Sequence, residues 1–206
     1  MDKAAQLHEL ESEIVANRSL PLMESNLVFG EGNIDCDVMF IGEAPGVNED
    51  RLKRPFVGRG GQLLDSMVVD LGWKRADVYI TNIVKRRPPD NRDPLPAEIE
   101  AYKPYLTRQI AIIKPKLIVT LGRFSMNYFV PDAKMTRDHG HALVVDGQRV
   151  FPVYHPAAAL RSTQMMETLR ADFKKIPDIL AGKPTIALPS AFTGSPKEKP
   201  KQGSLF

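Results

Sequence analysis

Four consecutive apolar residues, Val38-Met39-Phe40-Ile41, run directly into Gly42-Glu43-Ala44-Pro45-Gly46. A short unbroken apolar run bounded by glycine and proline reads as a strand buried on both faces, as in a parallel sheet. Gly42 and Gly46 let the backbone bend sharply and approach a ligand closely, and Pro45 pins one torsion and removes a donor. One carboxylate, Glu43, is left at the carboxyl end of the strand, where open α/β sheets place their ligands. On its own, the stretch reads equally well as an ordinary strand-to-loop connection and as the wall of a site.

The rest of the chain repeats the pattern. Leu7, Leu10, Ile14 and Val15 recur at helical spacing within residues 3–16. A polar loop is expected from Val47 to Gly61. A helix follows on Leu63, Leu64, Met67, Val68 and Leu71, stopped by Gly72. Val78 to Asn82 and Leu117 to Leu121 read as further strands. Between them lies a basic, proline-rich loop (Lys85 to Pro94) and a helix opened by Pro96, with Pro104 expected to kink it. Asp146-Gly147 between two apolar runs is a strong hairpin signal, and the second run leads into Tyr154-His155-Pro156. A last helix is expected from about Thr163 to Leu180, disturbed by Pro177. This alternation predicts an α/β sandwich around a mainly parallel sheet. Residues 1–181 form the expected domain, and residues 182–206, rich in Pro, Ser, Gly and Lys, the expected flexible tail.

Charge and cysteine usage narrow the function classes. The net charge is +3, but Lys183 onward carries four lysines and one glutamate, so residues 1–182 are formally neutral. A nucleic-acid-binding surface on the folded part must therefore be a local patch. The single cysteine, Cys36, excludes an intramolecular disulfide and a cysteine-based metal site, and fits a reducing cytoplasm. No apolar run reaches membrane-spanning length, and the charged N-terminus has no signal-peptide core. Phosphate-loop, dinucleotide-binding, nucleophile-elbow and zinc-ligand patterns are absent.

Three polar residues, Glu43, Asn82 and His155, each follow a predicted strand, and parallel strand ends gather on one edge of a sheet. An asparagine amide sets a donor beside an acceptor and can read a pyrimidine edge. A histidine donor can stabilise charge on a departing oxygen, and a carboxylate can orient water or a developing cation. Together these groups suit cleavage of an N-glycosidic bond. Phe56 can stack on a base or pack in the core. Arg59, Lys85, Arg87 and Arg92 can contact phosphates or simply be solvated.

Those residues resemble the motifs of family 4 uracil-DNA glycosylases. Gly42-Glu43-Ala44-Pro45-Gly46 with Arg54-Pro55-Phe56-Val57-Gly58 matches the first motif. Thr81-Asn82-Ile83-Val84-Lys85 with Arg87-Pro88-Pro89 and Asn91-Arg92 matches the second, and Tyr154-His155-Pro156 through Leu160-Arg161 the closing one. The resemblance spans about residues 3–180 and implies a three-layer α/β/α sandwich around a four-stranded, mainly parallel sheet. It implies a uracil pocket walled by Gly42 and Ala44, with Phe56 stacked on a flipped-out uracil, Asn82 reading its edge and His155 facing O2. It makes Glu43, or Glu49, the carboxylate that assists water or the cationic sugar. Ala44 stands where another uracil glycosylase family carries an aspartate base, so backbone groups are expected to help hold the water. Leu160 and Arg161 would be wedge and phosphate contact, with Arg86 a further phosphate contact.

The family normally holds a four-iron four-sulfur cluster on four cysteines, and the corresponding positions here are Val15, Arg18, Arg86 and Tyr102. A cluster needs thiolates, so none is expected and no metal site replaces it. Packing and hydrogen bonds around Arg18, Arg86 and Tyr102 are expected to substitute for it. At the C-terminus, Gln202, Leu205 and Phe206 resemble the bacterial sliding-clamp-binding motif. The leading reading is a monomeric, cytoplasmic, nucleoid-associated enzyme that excises uracil from single- or double-stranded DNA. The alternatives are a non-catalytic scaffold binding uracil or abasic DNA on the same fold, and an enzyme acting on another base or a free nucleoside.

Overall fold

The computed structural model describes residues 2–182. In chain order these form α1 (Lys3–Ala16), β1 (Glu31–Gly32), β2 (Val38–Gly42), α2 (Val47–Leu52), α3 (Arg59–Asp70), β3 (Tyr79–Asn82) and α4 (Pro96–Ile113). There follow β4 (Leu117–Leu121), α5 (Arg123–Phe129), α6 (Met135–Asp138), β5 (Leu143–Val145), β6 (Gln148–Val153), α7 (Pro156–Ala159), α8 (Thr163–Phe173) and α9 (Ile176–Leu180). Local chemistry sets the main boundaries. The Asp2 carboxylate caps α1 by accepting from Ala5 N–H at 2.7 Å. Pro96 opens α4, and Glu98 reaches back to accept from Leu95 N–H at 2.8 Å. α4 continues as one element through Pro104.

The sheet has six strands in the order β1-β3-β2-β4-β6-β5. Its four central strands are parallel, as the sequence predicts, and both edges are antiparallel. β5 is the first arm of the expected hairpin, whose turn residues Asp146 and Gly147 both have positive φ, +47° and +81°. β1 has two residues, Glu31 and Gly32, and no apolar pattern, so its pairing with Ile80 and Tyr79 is invisible in the sequence. The expected loop Val47–Gly61 also holds more structure: α2, and the first turn of α3 with Gly58 as N-cap. α2 buries no residue fully, so it carries no apolar stripe to announce it.

The alternation of β2 defines two cores. Val38 and Phe40 join Leu64, Met67 and Phe173 on the side of α3 and α8, with the Phe40 and Phe173 rings stacked 5.7 Å apart. Met39 and Ile41 join Leu10, Ile14, Tyr102 and Leu106 on the side of α1 and α4. Helices on both faces make the three layers. After β2 the chain crosses through α3 to β3 on one flank, and after β3 it crosses through α4 to β4 on the other. Neighbouring connections thus diverge at the carboxyl ends of β2 and β4, which opens a crevice there. Among the described residues no helix is long and apolar enough to cross a membrane.

Candidate active site

A cleft of about 650 Å³ lies at this edge of the sheet, lined by Glu43, Ala44, Glu49, Phe56, Asn82 and His155. Glu43, Asn82 and His155 come from the ends of three different strands, β2, β3 and β6, and Glu49 from α2. Gly42 lies directly opposite Asn82 in the parallel register of β2 and β3. A Cβ on Gly42 would sit 2.5 Å from both Asn82 Oδ1 and Phe56 Cζ. The missing side chain lets an amide and an aromatic ring close over the strand end.

Asn82 is 2% exposed, and its Oδ1 has no hydrogen-bond partner among the described residues. A buried acceptor without a donor costs about 1–3 kcal/mol, so the site holds an unmet demand for an N–H. The Phe56 ring lies 5.6 Å from the His155 imidazole at an interplanar angle of 28°. His155 caps α7, its Nδ1 accepting from Ala157 N–H at 3.1 Å. That bond leaves the proton on Nε2. Burial lowers the ring's pKa to about 4, against the opposing pull of Glu49, so His155 is a neutral donor at neutral pH.

The two carboxylates differ in environment. Burial pushes Glu43 up to about 7; Asp93 adds to the rise and Arg123 opposes it. Glu49 is committed through Oε1, which accepts from Val57 N–H at 2.9 Å and Gly58 N–H at 2.8 Å. It thereby fastens the loop that carries Phe56.

The basic residues divide. Arg59, Leu160 and Arg161 line the outer cleft and are exposed, and neither arginine makes an ion pair among the described residues. Arg87 holds Asn91 Oδ1 at 2.7 Å, and Arg92 makes a two-pronged pair with Glu98 at 2.9 and 2.6 Å. Lys85 is a correction: it is fully buried, not a phosphate contact. It donates to Thr81 Oγ1 at 2.5 Å and Gln109 Oε1 at 2.6 Å beneath α4, and burial lowers its pKa well below the ordinary lysine range. Arg86 is a second correction. It is 6% exposed and turns inward to donate to the Ser25 carbonyl. Both face the α1–α4 layer, where local sequence gives no sign of burial because the covering residues lie far away in the chain.

Sequence reasoning missed Arg75, Asp93 and Arg123. Arg75 donates to the carbonyls of Pro55 and Phe56, while Asp93, from the loop before α4, and Arg123, the first residue of α5, act on Glu43. None carries a local motif.

A uracil edge has an N–H to meet the orphaned Asn82 oxygen, and the architecture around it is that of the uracil DNA glycosylase superfamily, whose model matches residues 29–180. The type-4 uracil-DNA glycosylase of Sulfurisphaera tokodaii is 45% identical over 187 residues, 84% of each chain. That of Saccharolobus solfataricus is 47% identical over 180 residues (82% of this chain, 83% of the relative). That of Archaeoglobus fulgidus is 41% identical over 192 residues (87% and 96%). The chain belongs to the type-4 uracil-DNA glycosylase family.

The side chains at the family's cluster positions do not fit an iron–sulfur cluster. Val15 and Arg18 are exposed, Arg86 and Tyr102 are buried, and none offers a thiolate. Cys36 is buried elsewhere, and burial pushes its thiol up to about 11. Among the described residues no group of three or more His, Cys, Asp or Glu could hold a metal ion. In that region Tyr102 donates to the Pro21 carbonyl at 2.8 Å and Arg86 to that of Ser25, tying the segment after α1 to α4 and the end of β3. Arg18 stands outside this network, contrary to the expectation that it would contribute.

Proposed function

We propose that this glycosylase, a hydrolase of N-glycosyl bonds, removes uracil from DNA after the base swings out of the stack into the cleft, leaving an abasic site. The orphaned Asn82 oxygen is the observation that carries this reading. Uracil offers N3–H to Asn82 Oδ1 and O4 to the amide nitrogen. Cytosine has no N3–H and offers an amino group instead, so it meets acceptor with acceptor and donor with donor. Phe56 stacks on the ring, and Gly42 provides the close approach.

As the bond between sugar C1′ and N1 breaks, its electron pair leaves with the uracil, and charge grows on O2. His155 Nε2–H donates to that oxygen. A neutral donor suits the step, because it stabilises charge without surrendering a proton. Glu43 in its ionised form faces the cationic sugar, orients the water that adds to C1′, helped by backbone groups near Ala44, and accepts the proton that water gives up. Glu49 holds the Phe56 loop. Arg59, Arg87, Arg92 and Arg161 supply a local phosphate-binding rim on a formally neutral domain, and Leu160 fills the space vacated by the base. No step runs through a metal or cluster.

The protein acts as a monomer in the cytoplasm, at the nucleoid. Gln202, Leu205 and Phe206, which lie outside the described residues, dock on the sliding clamp and bring the enzyme to replicated DNA. The test is uracil release from single- and double-stranded oligonucleotides by wild type, Asn82→Ala and His155→Ala. Loss of the His155 donor is expected to cost about a hundredfold or more. Tight binding to uracil-containing DNA with no release by wild type would replace this reading with a non-catalytic scaffold.

A further inference from the structure

Phe56 has a φ of +50°, the left-handed region, which is unusual for a bulky aromatic residue. Such a conformation persists where the surroundings over-determine it. Here they act on successive peptide groups. Arg75, from the short turn Arg75–Asp77 that precedes β3, donates through Nη2 to the Pro55 carbonyl at 2.6 Å and through Nη1 to the Phe56 carbonyl at 3.3 Å. The same guanidinium is fixed by Asp65 at 2.6 Å and by Glu31 at 2.9 Å. It therefore reaches α3, β1 and the loop at once. From the other side, Glu49 takes the N–H groups of Val57 and Gly58. Gly61 lets α3 pack directly against the Phe56 carbonyl, where any Cβ would overlap it.

We infer that Arg75 is a positioning residue of the glycosylase: it holds Phe56 in the left-handed conformation that presents its ring to the base. The inference rests on the stacking role of Phe56 given above. Arg75 itself touches no substrate. Its planar fork can span two carbonyls and two carboxylates, and a lysine ammonium at the same place can keep the charge but not the span. The strain at Phe56 is the device: without Arg75 the peptide relaxes and carries the ring away from Gly42 and Asn82.

The test is a double-mutant cycle read by single-turnover uracil release, with thermal melting alongside. Arg75→Met is expected to lower the rate by about a hundredfold, the scale of a 1 Å misplacement. Arg75→Lys, which keeps a positive charge beside Glu31 and Asp65, is expected to melt near wild type and still lose about tenfold or more in rate. In a Phe56→Ala background either change is expected to alter the rate less than about twofold, because the two residues act as one unit. Equal losses in both backgrounds would make Arg75 merely structural and overturn the inference, as would a wild-type rate for Arg75→Lys. A wild-type rate for Phe56→Ala alone would instead remove the stacking role on which the inference stands.

Discussion

Replacing Gly42 by alanine adds one methyl group at the point where the site is tightest. The new Cβ would lie 2.5 Å from Asn82 Oδ1 and from Phe56 Cζ, whereas carbon atoms settle about 3.5–4.0 Å from their neighbours. Relief requires the amide, the ring or both to move by roughly 1 Å. A misplacement of that size costs about a hundredfold in rate, or about 2.7 kcal/mol in the barrier. The φ of Gly42 is not in the left-handed region, so alanine brings no backbone strain and the effect is purely one of space. Overpacking should lower stability by about 1–3 kcal/mol. The assay is single-turnover release of uracil from a single-stranded oligonucleotide, paired with urea denaturation of the same preparations. A rate within about twofold of wild type would refute the view that Asn82 and Phe56 must meet across Gly42. So would a rate loss fully explained by unfolded protein.

Glu43 should give the activity an ionisation limb near pH 7, with release faster above it; Glu43→Gln should be slow and flat across pH 5 to 9. Because its folded pKa is raised, the folded state holds the proton longer than the unfolded state, so its contribution to stability is full below about 4.5 and lost as pH rises through about 7. The melting temperature of Glu43→Gln relative to wild type should therefore climb between pH 4.5 and 7.5, and a constant difference would contradict the raised pKa. Arg59→Ala and Arg161→Ala should each reduce the slope of log affinity against log salt by about 1. Lys85→Met should leave that slope unchanged in a DNA-binding titration, since its ammonium is buried under Gln109. Deleting residues 202–206 should abolish clamp binding in a pull-down and leave release from short oligonucleotides intact; loss of both would count against the docking role.

The strands of the parallel core and most helices could be read from the chain because each is specified locally. Val38–Ile41 is uniformly apolar because both faces of its strand are covered. Asp146-Gly147 forms its turn because those residues tolerate positive φ. Glu43, Asn82 and His155 stood out because polar residues ending apolar runs must lie at a sheet edge. The resemblance added their roles and Phe56's.

Tertiary structure decided what depends on residues distant in sequence. Lys85 and Arg86 look like surface charges in a basic loop, yet Gln109 lies 24 residues from Lys85 and Ser25 lies 61 from Arg86. β1 exists only because Tyr79 and Ile80 offer it an edge. The sequence alone thus determined the layers, the parallel core and the strand ends that meet at the cleft, since periodicity and turn chemistry are local properties. Which cations face DNA, which carboxylate titrates near neutrality and which arginine holds Phe56 are set by burial and charge across the fold, and only packing could assign them.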